Sequence, residues 1–453
     1  MTVLRFRFEN HKSFRDVAEL SLIHSRLKTV RPVDGTWLDY THRVAGIYGP
    51  NASGKSSVLD ALDLMLAVVR NSATLWRNRK RLPHRPFALD EASRNLASSY
   101  AVDVVIDDIR FEYGFSLLQD HIESEWLYDY PVGRRRLLYE RGLNGEDFKF
   151  GRALVGGTAI LEKLTGPREL ILSRGANDGQ PILSKIYDEL TEGFEFARFS
   201  DGSREQRLND IVKGLATDTI QMSDIILLLQ AADVGIAEVE VDEVQTPPAL
   251  LKWVDAVRKA TVETKGEKPT EKERSGLEAI DNAVDFQFVI DEVTKRLAFR
   301  HTGENGKYYT LTPEDQSTGT LSWLSLAVPA VETLRKGGVL LIDEIDASLH
   351  PHLAQMLIQM FKDPSINVRC AQLIFTTHDT FFLSPSADVR LDPEEVWLVE
   401  KNETGVSEIF TLSDFSTRQD QNLSRRYLHG RYGATPHLAP SFLQGLVPLV
   451  EAE

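Results

Sequence analysis

The 453-residue chain holds one cysteine, Cys370. That excludes an intramolecular disulfide framework and any cysteine-only metal cluster, and it fits a reducing compartment. No stretch approaches the roughly 18 uninterrupted apolar residues needed to span a bilayer. The opening residues, MTVLRFRFEN, break their apolar positions with Arg5, Arg7 and Glu9, so the apolar centre of a secretory signal is missing. A cytoplasmic protein without a membrane partner is the expectation. Positive charge is in deficit: Lys and Arg total 52 against 67 Asp and Glu, a net charge of −15. Such a balance excludes coating nucleic acid with the whole surface while leaving room for a local basic groove. Internal repeats, low-complexity blocks and a sustained heptad pattern are absent, which excludes a long coiled-coil arm. No H-x-x-x-H, C-x-x-C or nucleophile elbow occurs, and no D-x-D follows His378. What is present is an ordinary globular composition, 42% hydrophobic and 26% charged. At roughly 100–200 residues per domain, the length predicts two or three lobes.

The patterning divides the chain. Leu4, Phe6 and Phe8 alternate with Arg5, Arg7 and Glu9, which reads as a strand, and a second is expected at 18–23. The run 44–48 (VAGIY) is short and apolar and ends in a Gly-rich turn. Beyond that turn Val58, Leu59, Leu62, Met65, Leu66 and Val69 recur at helical spacing. Between 100 and 150 the runs 101–106, 109–117 and 122–128 predict an antiparallel meander, with Asp107-Asp108 as a hairpin turn. From 183 to 280 the texture is mostly helical, with Ile220, Ile225, Ile226 and Leu229 on a stripe. Within it, 261–275 (TVETKGEKPTEKERS) is polar and reads as an exposed loop. Strand texture returns at 286–290 and 296–299, with a turn at 303–306. Beyond Gln316 a helix, a buried strand and a further helix follow.

Gly49-Pro50-Asn51-Ala52-Ser53-Gly54-Lys55-Ser56 fits G-x-x-x-x-G-K-[ST]. Glycines let backbone N–H groups converge on phosphates, and the following helix presents its positive end. Lys55 is placed to reach the β and γ phosphates of ATP and Ser56 to ligate Mg²⁺, with Ser57 beside them. A Gly-rich helix cap uses similar residues, but here the loop lies between a buried strand and an amphipathic helix, the context a phosphate loop requires. The segment 339–342 (VLLI) is then a buried strand ending in Asp343-Glu344. Parallel strands deliver their C-terminal residues to the ligand crevice of an α/β sheet. Asp343 would hold Mg²⁺ through its water shell, and Glu344 would activate the water attacking the γ-phosphate.

The run continues Ile345-Asp346-Ala347-Ser348-Leu349-His350-Pro351, and a later strand ends Leu373-Ile374-Phe375-Thr376-Thr377-His378. Upstream, Ser317-Thr318-Gly319-Thr320 opens the helical stretch 321–334. With these residues the sequence resembles the ABC ATPases, in particular the branch of SMC, RecF and RecN. Asn10-His11-Lys12-Ser13-Phe14 is similar to that branch's N-terminal element, which adds Lys12 to the nucleotide-binding set. The resemblance implies that Ser317 and Gly319 are the signature touching the γ-phosphate on the opposite protomer. It implies that Asp346 is the D-loop residue and His378 the switch histidine. The usual signature has adjacent glycines, whereas Thr318 and Thr320 flank a single Gly319 here. The Q-loop glutamine stays open between Gln180 and Gln230.

The C-terminal segment narrows the resemblance. Asp414-Phe415, Arg418 and Asn422-Leu423 precede Arg426-Tyr427-Leu428-His429-Gly430-Arg431-Tyr432-Gly433-Ala434-Thr435-Pro436. This resembles the ending of stand-alone AAA/ABC-hybrid ATPases of anti-phage operons, such as the AbiL and PARIS classes. These stand beside a gene for a TOPRIM-like or RloB-like nuclease. The expectation is therefore an α/β fold, a P-loop NTPase ABC-type head with a mixed sheet, an antiparallel β subdomain and a short helical insertion. Its parts would be an N-terminal ATPase lobe over 1–182, the helical insertion over 183–280 and a C-terminal lobe over 281–453. The implied cofactors are ATP and Mg²⁺. The implied partners are a second copy in a homodimer or higher homo-oligomer and a nuclease-like effector from an adjacent gene. Two basic clusters, Arg77, Arg79, Lys80, Arg81 and Arg85, and Arg134, Arg135 and Arg136, lie beside Trp76 and Tyr139. They suit DNA or RNA, a protein partner or plain solvent. DNA repair of the RecF or RecN type and an ATP-held oligomeric scaffold stand as alternatives.

Overall fold

The computed structural model describes residues 1–77, 79–142, 147–198, 201–232, 235–245, 293–347, 349–416 and 421–435. The polar stretch at 261–275, the strand expected at 286–290, Ser348, Arg418 and Pro436 lie outside the described residues. The chain forms two compact units, Met1–Ser203 with Pro329–Glu453, and Arg204–Val328.

The first unit carries the Gly49–Ser56 loop and the Asp343–Glu344 pair on a six-stranded sheet ordered β16-β15-β3-β14-β13-β9. Its strands are β3 (Val44–Tyr48), β9 (Phe194–Ala197), β13 (Val339–Ile342), β14 (Gln372–Thr377), β15 (Val396–Lys401) and β16 (Ser407–Thr411). All neighbours run parallel except the β15–β16 hairpin, so the sheet is mixed, as expected. Every residue of β3, β13 and β14 is buried, and β3 and β13 are the unbroken apolar runs expected of strands covered on both faces.

A seven-stranded antiparallel sheet forms the second layer of this unit, ordered β2-β1-β4-β5-β6-β7-β8. It consists of β1 (Thr2–Glu9), β2 (Ala18–Ser21), β4 (Ser98–Ile106), β5 (Ile109–Leu117), β6 (Ile122–Asp129), β7 (Arg136–Arg141) and β8 (Phe148–Phe150). The expected hairpin turn is there: Asp107 and Asp108 have φ of 48° and 62°, the left-handed pair that a tight hairpin uses. The helix Lys55–Asn71 lies in one apolar cluster with Phe6, Tyr100 and Phe115 of this sheet and Val339, Leu341 and Ile374 of the other. The β1–β4 register shifts between Val3 and Arg5, and the Gln372 side chain takes up the strand there. Its Oε1 accepts from Val3 N at 2.7 Å, and its Nε2 donates to Val3 O at 2.9 Å and His42 O at 3.2 Å. Glu125, fully buried, accepts from the backbone N–H groups of Ile171 (2.6 Å) and Leu172 (3.1 Å) and from Tyr139 Oη (2.7 Å). It satisfies donors that the helix Ile171–Asn177 leaves open at its start.

The stretch read as helical from residue 183 contains the helices Pro181–Glu192, Asp201–Ala216 and Met222–Ala231, but also two strands. β9 is a four-residue edge strand parallel to β13. Its FEFA alternation is too short to outweigh the helices around it. β10 (Ile236–Gln245) belongs to the second unit, in a three-stranded antiparallel sheet with β11 (Val293–Thr302) and β12 (Tyr308–Leu311).

In that unit Trp323 is fully buried and donates from Nε1 to Leu228 O at 2.8 Å. The helix Thr318–Lys336 contains Pro329, whose ring removes the N–H that would bond Ser325 O. Arg207 Nε donates to that carbonyl instead, at 3.0 Å.

Candidate nucleotide site

β3 ends at Tyr48 and the chain turns through Gly49 (φ 154°), Pro50, Asn51, Ala52 (φ 62°), Ser53 and Gly54 (φ 117°) into the helix at Lys55. Two glycines are required. A Cβ on Gly49 would run into the Val399 carbonyl of β15, and one on Gly54 would sit 2.7 Å from Ser407 Oγ and 2.8 Å from Ser13 Oγ. Only a residue without a side chain lets the loop approach both neighbours in these conformations. Lys55 is buried and donates from Nζ to the carbonyls of Gly49 (2.8 Å) and Pro50 (3.1 Å). Burial lowers its pKa, opposed by the charges of Glu344, Asp346 and Asp343. The lysine is thus folded over its own loop and faces the acidic end of β13.

Ser56 Oγ lies 2.9 Å from Asp343 Oδ1 and donates to it, joining residues 287 positions apart. The same carboxylate oxygen accepts from Thr376 Oγ1 at 2.7 Å, and that hydroxyl in turn accepts from Glu344 N at 2.7 Å. Glu344 has φ of 57° and an exposed side chain, so its backbone is strained while its carboxylate reaches into the cleft. A hydroxyl and a carboxylate form an oxygen-only pair that suits Mg²⁺, which keeps several of its waters. The Ser56–Asp343 geometry fits that ion.

A cleft of about 430 Å³ opens over the loop, lined by Lys12, Ser13, Asn51, Lys55, Glu344 and Lys401 among others. Lys12, at φ 50°, is held 2.9 Å from Asp60 Oδ2 on the loop's helix. Asp60 also receives His11 Nε2 at 3.0 Å and Arg85 Nη1 at 2.8 Å. Burial works against its charge, yet the hydrogen bonds from His11 and Lys12 and the charge of Arg85 hold Asp60 well below the usual carboxylate range. The buried His11, whose Nδ1 is 2.8 Å from Tyr100 Oη, is held below its ordinary pKa by desolvation.

His378 follows β14, exposed, with Nδ1 3.1 Å from Asp346 Oδ2, so two residues read separately from sequence form one pair. Ser317 and Gly319 belong to the second unit. There Ser317 Oγ accepts from Thr320 N at 3.1 Å and caps the helix that follows. Gln180 caps another helix, accepting from Leu183 N at 2.7 Å, while Gln230 lies on the helix Met222–Ala231. Much of the basic clusters is engaged within the chain. Arg85 holds Asp60, Arg77 pairs with Glu169 at 2.8 Å, Arg136 with Asp129 at 2.5 Å, and Arg135 stacks 3.5 Å over Tyr128.

Sequence reasoning missed four residues of this site. Thr376 was visible only as part of a strand, and Ser13 only as part of the N-terminal element. Ser407 and Lys401 had no local signal at all, because they arrive on the β15–β16 hairpin. Ser407 Oγ donates to Ser53 O at 2.5 Å and its N–H to Ser13 O at 2.7 Å, bracing the phosphate loop from outside. The C-terminal segment reaches the same strand: Glu400 Oε2 accepts from Ala434 N at 2.9 Å, and Tyr427 Oη donates to Ala434 O at 2.7 Å.

No curated protein matches the chain in sequence. Among solved structures it is similar to the "SMC head domain from Thermotoga maritima", at 14% identity and a TM-score of 0.36, over 91% of this chain and 99% of that one. It is also similar to the "SmcHead bound to the C-winged helix domain of ScpA", at 13% identity and a TM-score of 0.34, over 91% and 97%. Residues 44–384 match the family described as "AAA domain, putative AbiEii toxin, Type IV TA system". That segment holds the phosphate loop, the Asp343–Glu344 pair and the strands that carry them, and the chain belongs to this AAA-domain family and is an ATPase.

Proposed function

We propose that the chain hydrolyses ATP at two composite sites of a head-to-tail homodimer and that this cycle gates or assembles a partner effector in bacterial anti-phage defence. The observation that carries the reading is the three-way junction of Ser56, Asp343 and Thr376, which sets Glu344 at the mouth of the loop. Lys55 leaves the Gly49 and Pro50 carbonyls for the β and γ phosphates, which the loop's N–H groups and the helix N-terminus cradle. Ser56 and Asp343 would hold Mg²⁺, which when bound would neutralise phosphate charge. Glu344 orients the attacking water and takes its proton. His378, steadied by Asp346, faces the γ-phosphate, and Ser317 and Gly319 of the second copy close the site. Lys12, clamped by Asp60, adds a positive charge beside the loop. The family's description names a type IV toxin–antitoxin system, which supports a two-gene arrangement. In our reading the partner is a nuclease-like effector encoded next door.

Glu344→Gln tests this directly. Nucleotide binding is expected to persist, turnover to fall by about 10²–10⁴-fold, and a dimer to accumulate with ATP in light scattering. Normal turnover in that variant would remove Glu344 from the chemistry. Lys55→Ala is expected to lose nucleotide binding, and unchanged affinity would overturn the loop's role. Turnover with and without DNA separates the repair alternative, and charge reversal at Lys80, Arg81 and Arg134 would abolish any stimulation. A stable stoichiometric complex with slow turnover would favour the scaffold.

A further inference from the structure

Apart from the nucleotide cleft, the fold brings two histidines and a glutamate from three distant segments to one point. His24 and His42 flank the isolated antiparallel bridge Ile23–Thr41. Their backbones are tied by His24 N to Tyr40 O at 2.9 Å and His42 N to Leu22 O at 2.7 Å. The rings lie 3.8 Å apart, centroid to centroid. Glu394 comes from the turn Pro393–Glu395, immediately before β15. Its Oε2 is 3.0 Å from His42 Nε2 and 3.5 Å from His24 Nδ1, and the three donor atoms lie within 4.8 Å of one another.

The geometry points to a divalent transition-metal site of the zinc class, with His24 Nδ1, His42 Nε2 and Glu394 Oε2 as ligands. Tetrahedral zinc with bonds of about 2.0–2.1 Å sets its donors about 3.3 Å apart, and the two measured separations bracket that spacing. Two imidazoles and a carboxylate leave a fourth position for water. The cleft of about 490 Å³ beside them, lined by Asp392, Ser413 and Ser416 among others, gives the ion access and room for that water.

The surroundings suit the ligands. Ser25 Oγ donates to Glu394 Oε1 at 2.5 Å and its backbone N–H donates to Oε2 at 3.0 Å, so the carboxylate is held at both oxygens. This is the outer-shell support that a ligating carboxylate receives. With Nε2 ligating, the His42 ring proton sits on Nδ1, which faces Glu395 Oε1 at 3.9 Å. The consequence would be structural. The ion would tie the segment leading into β3 to the start of β15, the strand whose far end braces the phosphate loop.

The test uses the full chain, stripped with chelator and titrated with Co²⁺ and then Zn²⁺. One equivalent of Co²⁺ is expected to give visible d–d absorption that Zn²⁺ abolishes by displacement, together with a rise in melting temperature. His24→Ala and Glu394→Gln are each expected to weaken binding by at least ~100-fold, and Ser25→Ala by about 10-fold. His350→Ala with His352→Ala is expected to change nothing, although those rings also stack at 5.1 Å. Absence of Co²⁺ absorption and of Zn²⁺ uptake up to the millimolar range would overturn the site. So would uptake that survives unchanged in folded His24→Ala and Glu394→Gln proteins.

Discussion

Replacing Thr376 by valine removes one hydroxyl from a fully buried position and leaves the volume nearly unchanged. That hydroxyl accepts from Glu344 N at 2.7 Å and donates to Asp343 Oδ1 at 2.7 Å. An orphaned backbone N–H costs about 1–3 kcal/mol, and a hydrogen bond to a charged group is worth about 1.5–3 kcal/mol. Asp343 keeps Ser56 Oγ at 2.9 Å, which softens the second term. The expected loss is therefore about 2–4 kcal/mol. At roughly 2 °C per kcal/mol for a large chain, the melting temperature falls by about 4–8 °C. Function should suffer differently. Glu344 holds φ of 57°, a conformation that costs of order 1–3 kcal/mol and persists only while its neighbours enforce it. Without the Thr376 acceptor, turnover should drop about 10-fold while nucleotide affinity moves less than about 3-fold. Thermal melting, a nucleotide titration and steady-state phosphate release read the three quantities separately. A valine variant that melts within about 1 °C of the parent and turns over fully would refute the argument. Thr376→Ser, which restores the hydroxyl, should recover most of both losses.

Glu125→Ala leaves the Ile171 and Leu172 N–H groups and the Tyr139 hydroxyl without their buried acceptor. A loss of about 3–5 kcal/mol in urea unfolding is expected, and one below about 1 kcal/mol would contradict the burial argument. Gly49→Ala should destroy nucleotide binding by driving a methyl into the Val399 carbonyl, checked by fluorescent-nucleotide titration on protein shown to be folded. Acid should destabilise the fold through His11, His24 and His42, whose pKa values burial lowers. The unfolded chain takes up protons near about 6.5 and the folded one does not, so their contribution is complete above that pH and is lost as pH falls toward the folded values. The melting temperature in metal-free buffer should decline from pH 7 to pH 5, and a flat or rising profile would contradict it. Glu394 adds a later loss, because hydrogen bonds from Ser25 and His42 overcome its partial burial and hold its pKa down to about 2.

Much of the candidate nucleotide site is legible in the sequence, because its chemistry is written in adjacent residues. Gly49 to Ser56 are consecutive, and their backbone demands are local. VAGIY and VLLI must be buried on both faces, and the alternation in the meander gives its period directly. β9 escaped because four residues at a sheet edge, between helices, offer no period long enough to read. That Ser317 and Gly319 fall in a different unit from the Gly49–Ser56 loop escaped because no local pattern reports which body a loop belongs to.

Sequence by itself determined the phosphate loop, the acidic pair after a buried strand and the antiparallel meander, since each follows from the sterics and hydrophobicity of neighbouring residues. Tertiary structure decided what those elements meet. The strand order β15-β3-β14-β13 sets Thr376 beside Asp343 and the β15–β16 hairpin against Gly49 and Gly54. The same order pairs Asp346 with His378, and the fold gathers His24, His42 and Glu394. Gln372 holds Val3 across 369 positions. Contacts of that range depend on which strands lie side by side, and strand order is a property of the packed core that no local spacing encodes.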